Sequence, residues 1–245
     1  MAAAMLAACG GSQPPIGAQG TTPMTSVAAE HRDANPSTDS GDLIYAQNRK
    51  ATYILSYATG QVVGSFDLVS YGASLCSDKR GDVFIPADKK GYIYEYAHGG
   101  TTPIAQLSDE DNETPGCSVD PITGNLAVAN FYADCHGVSC ANGNIAIYAK
   151  AKGNPKLYSD PTITNYVSCG YDNAGNLFVE GGNTSEGSLF AELPRGSNKF
   201  TNFDLVILPG AISVVQWDGK YVALGTVAVT GRLEIDRVTV HGSKA

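Results

Sequence analysis

Cysteines are the residues of this 245-residue chain whose type and spacing most plainly permit chemistry. Cys76, Cys117 and Cys169 each follow a short polar or glycine-containing lead and precede an Asp-containing turn, at intervals of 41 and 52 residues. Three kinds of chemistry suit such a trio: a disulfide between two neighbours, a thiolate metal site, or small buried apolar thiols that pack and do nothing else. Three is an odd number, so one thiol stays unpaired unless it bonds outside the trio. Cys135 and Cys140 enclose His136-Gly137-Val138-Ser139 and are expected to form a local disulfide that pins a loop. Zinc there would need two ligands more, and His136 alone does not complete a site. Asp109, Asp111 and Glu113 alternate in an acidic stretch and are the weak candidates for a divalent cation such as Ca2+. Thr114 stands where a calcium loop would carry glycine, so a solvated loop is the competing reading. The nucleophile elbow, phosphate loop, dinucleotide fingerprint and His-Glu-x-x-His signatures are missing, and His31, His98, His136 and His241 show no paired spacing. No catalytic residue is assigned.

The elements that position these residues begin after a distinctive N-terminus. Leu6-Ala7-Ala8-Cys9-Gly10 resembles the lipobox of bacterial lipoproteins, which implies diacylation of Cys9 and removal of the preceding peptide. Residues 1–8 are then a signal-peptide remnant, and residues 9–41 a lipidated cysteine with a flexible tether rich in Gly, Pro, Ser, Thr, Ala and Gln. Acyl chains, at about 0.8 kcal/mol per buried methylene, would hold the protein on a membrane. The expected location is export and lipid anchoring at the bacterial cell envelope. The formal net charge of −8 argues against a nucleic-acid partner, because phosphate binding needs a basic footprint.

Residues 42–245 contain a repeat. The segments from Leu75 to Ile85, Gly116 to Val128 and Ser168 to Val179 align, and a degenerate fourth runs from Ser213 to Ala223. Each reads as a short strand, an Asp-x-x-Gly-Asn or Asp-Gly turn suited to positive φ, and a second apolar strand. A third strand alternates, as in Gly91–Tyr96 and Gly143–Tyr148, and a fourth closes the unit at Ile104–Leu107, Lys156–Tyr158 and Asp204–Leu208. Units of about 45 residues with four strands are the size of a propeller blade. Leu43–Gln47, Thr52–Tyr57 and Val62–Asp67 read as three strands of a first blade without its inner strand. Tyr221–Gly225 and Arg232–Val240 read as the remainder of a last, partial one. The fold class is therefore all-β: a β-propeller of four-stranded blades, about five of them, like an incomplete six-bladed ring.

The pattern of Cys-x-x-Asp-x-x-Gly-Asn-Leu-x-Val followed by Gly-x-Ile-x-x-Tyr resembles the NHL repeat and the related SMP-30/gluconolactonase-like propellers. That resemblance implies the propeller fold and, for its lactonase members, a Glu/Asn/Asp set around a channel-bound metal. Glu180 and Asn130, which end second strands, are the nearest counterparts. Tyr92, Tyr94, Tyr96, Tyr132 and Tyr171 suit either a binding rim or packing between blades. The leading expectation is a non-enzymatic binding or scaffold module that takes a protein, peptide or glycan through its loop face. The alternatives are a metal-dependent hydrolase or lactonase, and a truncated, non-functional paralogue.

Overall fold

The computed structural model describes residues 6–8, 41–48, 50–67, 74–87, 91–109, 113–136, 139–183, 187–203, 210–228 and 231–240. Its strands form five antiparallel meanders. Blade 1 holds β1 (Leu6–Ala8), β2 (Leu43–Gln47), β3 (Ala51–Ser56) and β4 (Val62–Asp67). Blade 2 holds β5 (Cys76–Ser77), β6 (Val83–Ala87), β7 (Tyr92–Tyr96) and β8 (Pro103–Ser108). Blade 3 is β9 (Gly116–Val119), β10 (Leu126–His136), β11 (Ser139–Tyr148) and β12 (Lys156–Tyr158). Blade 4 is β13 (Asn165–Tyr171), β14 (Leu177–Asn183), β15 (Gly187–Leu193) and β16 (Thr201–Phe203). Blade 5 is β17 (Gly210–Trp217), β18 (Val222–Ala228) and β19 (Leu233–Val238). The chain is a β-propeller of five blades.

Local chemistry sets the hairpins. The Asp172 carboxylate accepts the amides of Ala174 and Asn176, and Gly175 takes φ of 82°, a region that side chains disfavour. Asp78, Asp120 and Asp218 accept turn amides in the same manner. The recurring aspartates are thus turn residues.

Packing happens between blades, because alternate side chains of each strand face opposite neighbours. Tyr45 and Ile54 of blade 1 pack with Val83 and Ile85 of blade 2. Phe84 and Ile93 meet Leu126 and Val128 of blade 3, Ala127 and Ala129 meet Leu177 and Val179 of blade 4, and Phe178 and Phe190 meet Val215 and Leu224 of blade 5. Serine hydroxyls clasp successive inner strands: Ser74 accepts the amide of Cys117, Ser118 that of Tyr171, and Ser168 that of Val215. A disulfide between Cys76 and Cys117, with Cα atoms 5.7 Å apart, reinforces the first of these contacts.

Two details depart from the reading of the sequence, and the seam between the last and first blades is visible only in the structure. Blade 1 has an inner strand, because Leu6–Ala8 pairs antiparallel with Ala46, Tyr45 and Ile44. Three apolar residues are too few to show a period, so they carry no strand signal of their own. Blade 4 closes with Thr201–Phe203, whereas Asp204–Leu208 lies outside the described residues. Strand β19 pairs with β18, and β2 pairs with β1 and β3, so the last described strand does not complete the first blade. Among the described residues no apolar cluster joins blade 5 to blade 1. Leu233 and Ile235, 71% and 80% exposed, alternate with Val238, which packs towards blade 4.

Candidate functional site

Two ends of the propeller offer different surfaces. At one end, β10 and β11 run past the body of blade 3 as a long hairpin, paired as far as His136 and Ser139. Cys135 and Cys140 close it with a disulfide, Cα atoms 4.1 Å apart. Gly143 makes the close pairing possible: a Cβ there would lie 2.0 Å from the Asn130 carbonyl oxygen and 2.6 Å from that of Phe131. The connection from blade 2 then braces the hairpin. The Glu113 amide donates to the Tyr132 carbonyl, and the Phe131 amide donates to the Glu113 carbonyl. Phe131 and Tyr132 meet edge to face, and Tyr132 is exposed.

Several polar groups are buried within the blades. The Tyr148 hydroxyl is shared between the Ser108 carbonyl and Asp109 Oδ1, and burial drives its pKa far upward. Asn130 Nδ2 donates to Asn144 Oδ1, while Asn130 Oδ1 has no hydrogen-bond partner among the described residues. Glu180 is 2% exposed. Burial pushes its carboxyl up to about 8, a hydroxyl bond from Ser188 offsets that in part, and Oε2 is unpartnered among the described residues. An unmet buried carboxylate oxygen favours the protonated acid.

Glu180 and Asn130 do not converge. Asn130 shares its strand face with Leu126 and Val128 and therefore faces blade 2; Glu180 shares its face with Phe178 and faces blade 5. The sequence shows that both sit late in second strands. A register offset of one residue puts them on opposite sheet faces.

The other sequence candidates fall as follows. Cys76 and Cys117 are bonded, and Cys169 is a buried free thiol pushed up to about 12 by burial, so it is protonated and inert at neutral pH. The trio is therefore one disulfide and one packing thiol. Asp109 is buried against Tyr148, Glu113 pairs through its backbone, and Asp111 lies outside the described residues; among those described, no three potential ligands gather. Cys9 lies outside them too. Tyr96 stacks on Phe66 across blades 1 and 2, and Tyr171 is buried in the core between blades 3 and 4; of the rim candidates Tyr132 is the exposed one.

At the opposite end, where the aspartate turns lie, a cleft of about 660 Å3 opens between blades 3 and 4. Ile147, Leu177 and Leu193 form its apolar floor, and Tyr158 and Tyr171 stand beside them. Lys156 and Arg195 also line it. The sequence carried no sign of this cleft, because Lys156 and Arg195 belong to different blades and follow no motif.

No protein-family model matches the sequence, and no curated protein matches it either. Solved structures do match in fold. One is the crystal structure of a nidogen/laminin complex, aligned over 82% of this chain and 77% of that one at 12% identity, with a TM-score of 0.59. At that identity the likeness shows the propeller fold alone. No helix of the described residues is long and apolar enough to cross a membrane. The two disulfides fit an oxidising compartment.

Proposed function

We propose that this protein is an exported, lipid-anchored β-propeller of NHL-like blades that acts as a non-enzymatic binding or scaffold module. The observation that carries this reading is the β10–β11 hairpin, which projects past its blade, is stapled by Cys135–Cys140 and presents Tyr132. A rigid loop on a stable scaffold, with an exposed aromatic anchor, is the arrangement that gives affinity at low ordering cost. A protein, peptide or glycan is the expected ligand. The matching propeller was solved as a complex of nidogen with laminin, which supports a protein ligand by analogy of fold. Cys9 is the lipid-bearing residue in this reading. Cleavage before it would remove β1 and leave the inner edge of β2 unpaired, so the mature first blade would need another strand there.

The experiment uses protein purified from the membrane fraction of its own cells. Mass spectrometry is expected to find acyl chains on Cys9. Crosslinking in the native envelope is expected to trap a defined partner whose recovery falls at least ten-fold in Tyr132→Ala and in Cys135→Ser/Cys140→Ser. Hydrolysis of a lactone and ester panel that stops on adding a chelator would overturn the reading in favour of a metal-dependent hydrolase.

A further inference from the structure

We propose that the cleft between blades 3 and 4 binds a small anionic amphiphile, with a carboxylate, sulfonate or phosphate head on an aromatic or apolar body. The site lies at the end away from the β10–β11 hairpin and does not depend on the function proposed above. Its volume of about 660 Å3 falls within the roughly 300–1,000 Å3 of small-molecule sites.

The charges choose the ligand's sign. Lys156 stands on the outer strand of blade 3, and Arg195 on the turn that follows β15 in blade 4. Among the described residues neither is paired with a carboxylate. The Lys156 ammonium instead sits 4.7 Å from the centre of the Tyr158 ring. Arg195 folds over the β13–β14 turn, where Gly175 leaves room: a Cβ there would lie 3.2 Å from Arg195 Cδ. The acidic side chain in the lining, Asp120, is already engaged. Its Oδ1 accepts the Ile122 amide, and its Oδ2 accepts the Thr123 hydroxyl. The cleft thus offers two cations that, among the described residues, have no carboxylate partner, in a chain whose formal net charge is −8.

The floor chooses the ligand's body. Leu177 and Leu193 are buried, and Ile147 and Tyr158 pack against the same cluster. An inorganic anion would satisfy the cations and leave this floor wet. A neutral apolar ligand would cover the floor and leave the cations unmet. A ligand with both parts uses both features, and its head gains charge-assisted hydrogen bonds from Lys156 and Arg195.

Anilinonaphthalene sulfonate, an anionic aromatic amphiphile, is the probe, titrated into the full chain by fluorescence. Saturable binding at one site is expected. Lys156→Gln and Arg195→Gln should each weaken it by roughly five-fold, and Lys156→Glu/Arg195→Glu should abolish it. Phenylnaphthylamine, which has the same rings without the sulfonate, should bind at least roughly ten-fold more weakly. Thermal melting should be unchanged, because both side chains are exposed. Tyr132→Ala should leave probe binding intact, which separates this site from the hairpin. Equal affinity for the charged and neutral probes, or unaltered binding in both single glutamine variants, would overturn the proposal.

Discussion

Single residues decide how this propeller responds to its surroundings. Glu180 is held as an acid near pH 8 in the fold, against an ordinary value of 4.5. Below pH 4.5 the group is protonated folded or unfolded, and its burial carries no ionic penalty. Between there and pH 8 the unfolded chain releases the proton and the folded chain retains it, so stability falls as pH rises and levels off above 8. The expected loss across that window is a few kcal/mol in a buried site. Urea midpoints of Glu180→Gln should flatten the slope, and a wild-type midpoint independent of pH from 5 to 8 would contradict this account. The serine clasps act on a similar scale. Ser168 accepts the Val215 amide at 2.9 Å in a buried setting, so Ser168→Ala should cost about 1–3 kcal/mol by stranding that donor. The same urea titration reads it as a lower midpoint at constant slope.

At the scale of elements, the hairpin of blade 3 depends on one absence of side chain. Gly143 faces two carbonyl oxygens of β10 at distances no Cβ tolerates. Gly143→Ala should therefore cost about 3 kcal/mol or more and shift the β10–β11 register. Thermal melting checks the energy, and loss of the Cys135–Cys140 bond in a peptide map checks the register. Gly181 on β14 meets the Asn165 carbonyl in the same way, with 2.1 Å to a built Cβ, so glycine marks close backbone approach in blade 4 as well. In the sequence Gly143 opens the third strand of its unit, and nothing there shows how closely another backbone approaches it or Gly181. Only the pairing partner across the sheet reveals that approach.

Over the whole molecule, neighbouring blades share a core and fold as one array, so a covalent tie between two of them steadies the rest. Cys76–Cys117 closes a loop of 41 residues, which chain entropy values at about 4 kcal/mol. Cys135–Cys140 spans a separation of 5 and is worth about 2 kcal/mol on the same basis. Cys76→Ser/Cys117→Ser should accordingly lower the denaturation midpoint more than Cys135→Ser/Cys140→Ser, and the opposite order would mean that the hairpin, not the blade contact, limits stability. The amino-acid sequence alone determined the all-β class, the blade repeat and the capping aspartates. It also pointed to the local disulfide, because turn chemistry, period-two alternation and short-range spacing are properties of neighbouring residues. Tertiary structure alone decided that Cys76 pairs with Cys117 while Cys169 stays free, that Leu6–Ala8 completes blade 1, and that Glu180 and Asn130 face different neighbours. It alone brought Lys156 and Arg195 to one cleft. The reason is that each of these depends on register and on which blade lies alongside, and a one-residue shift in either reverses the face a side chain presents.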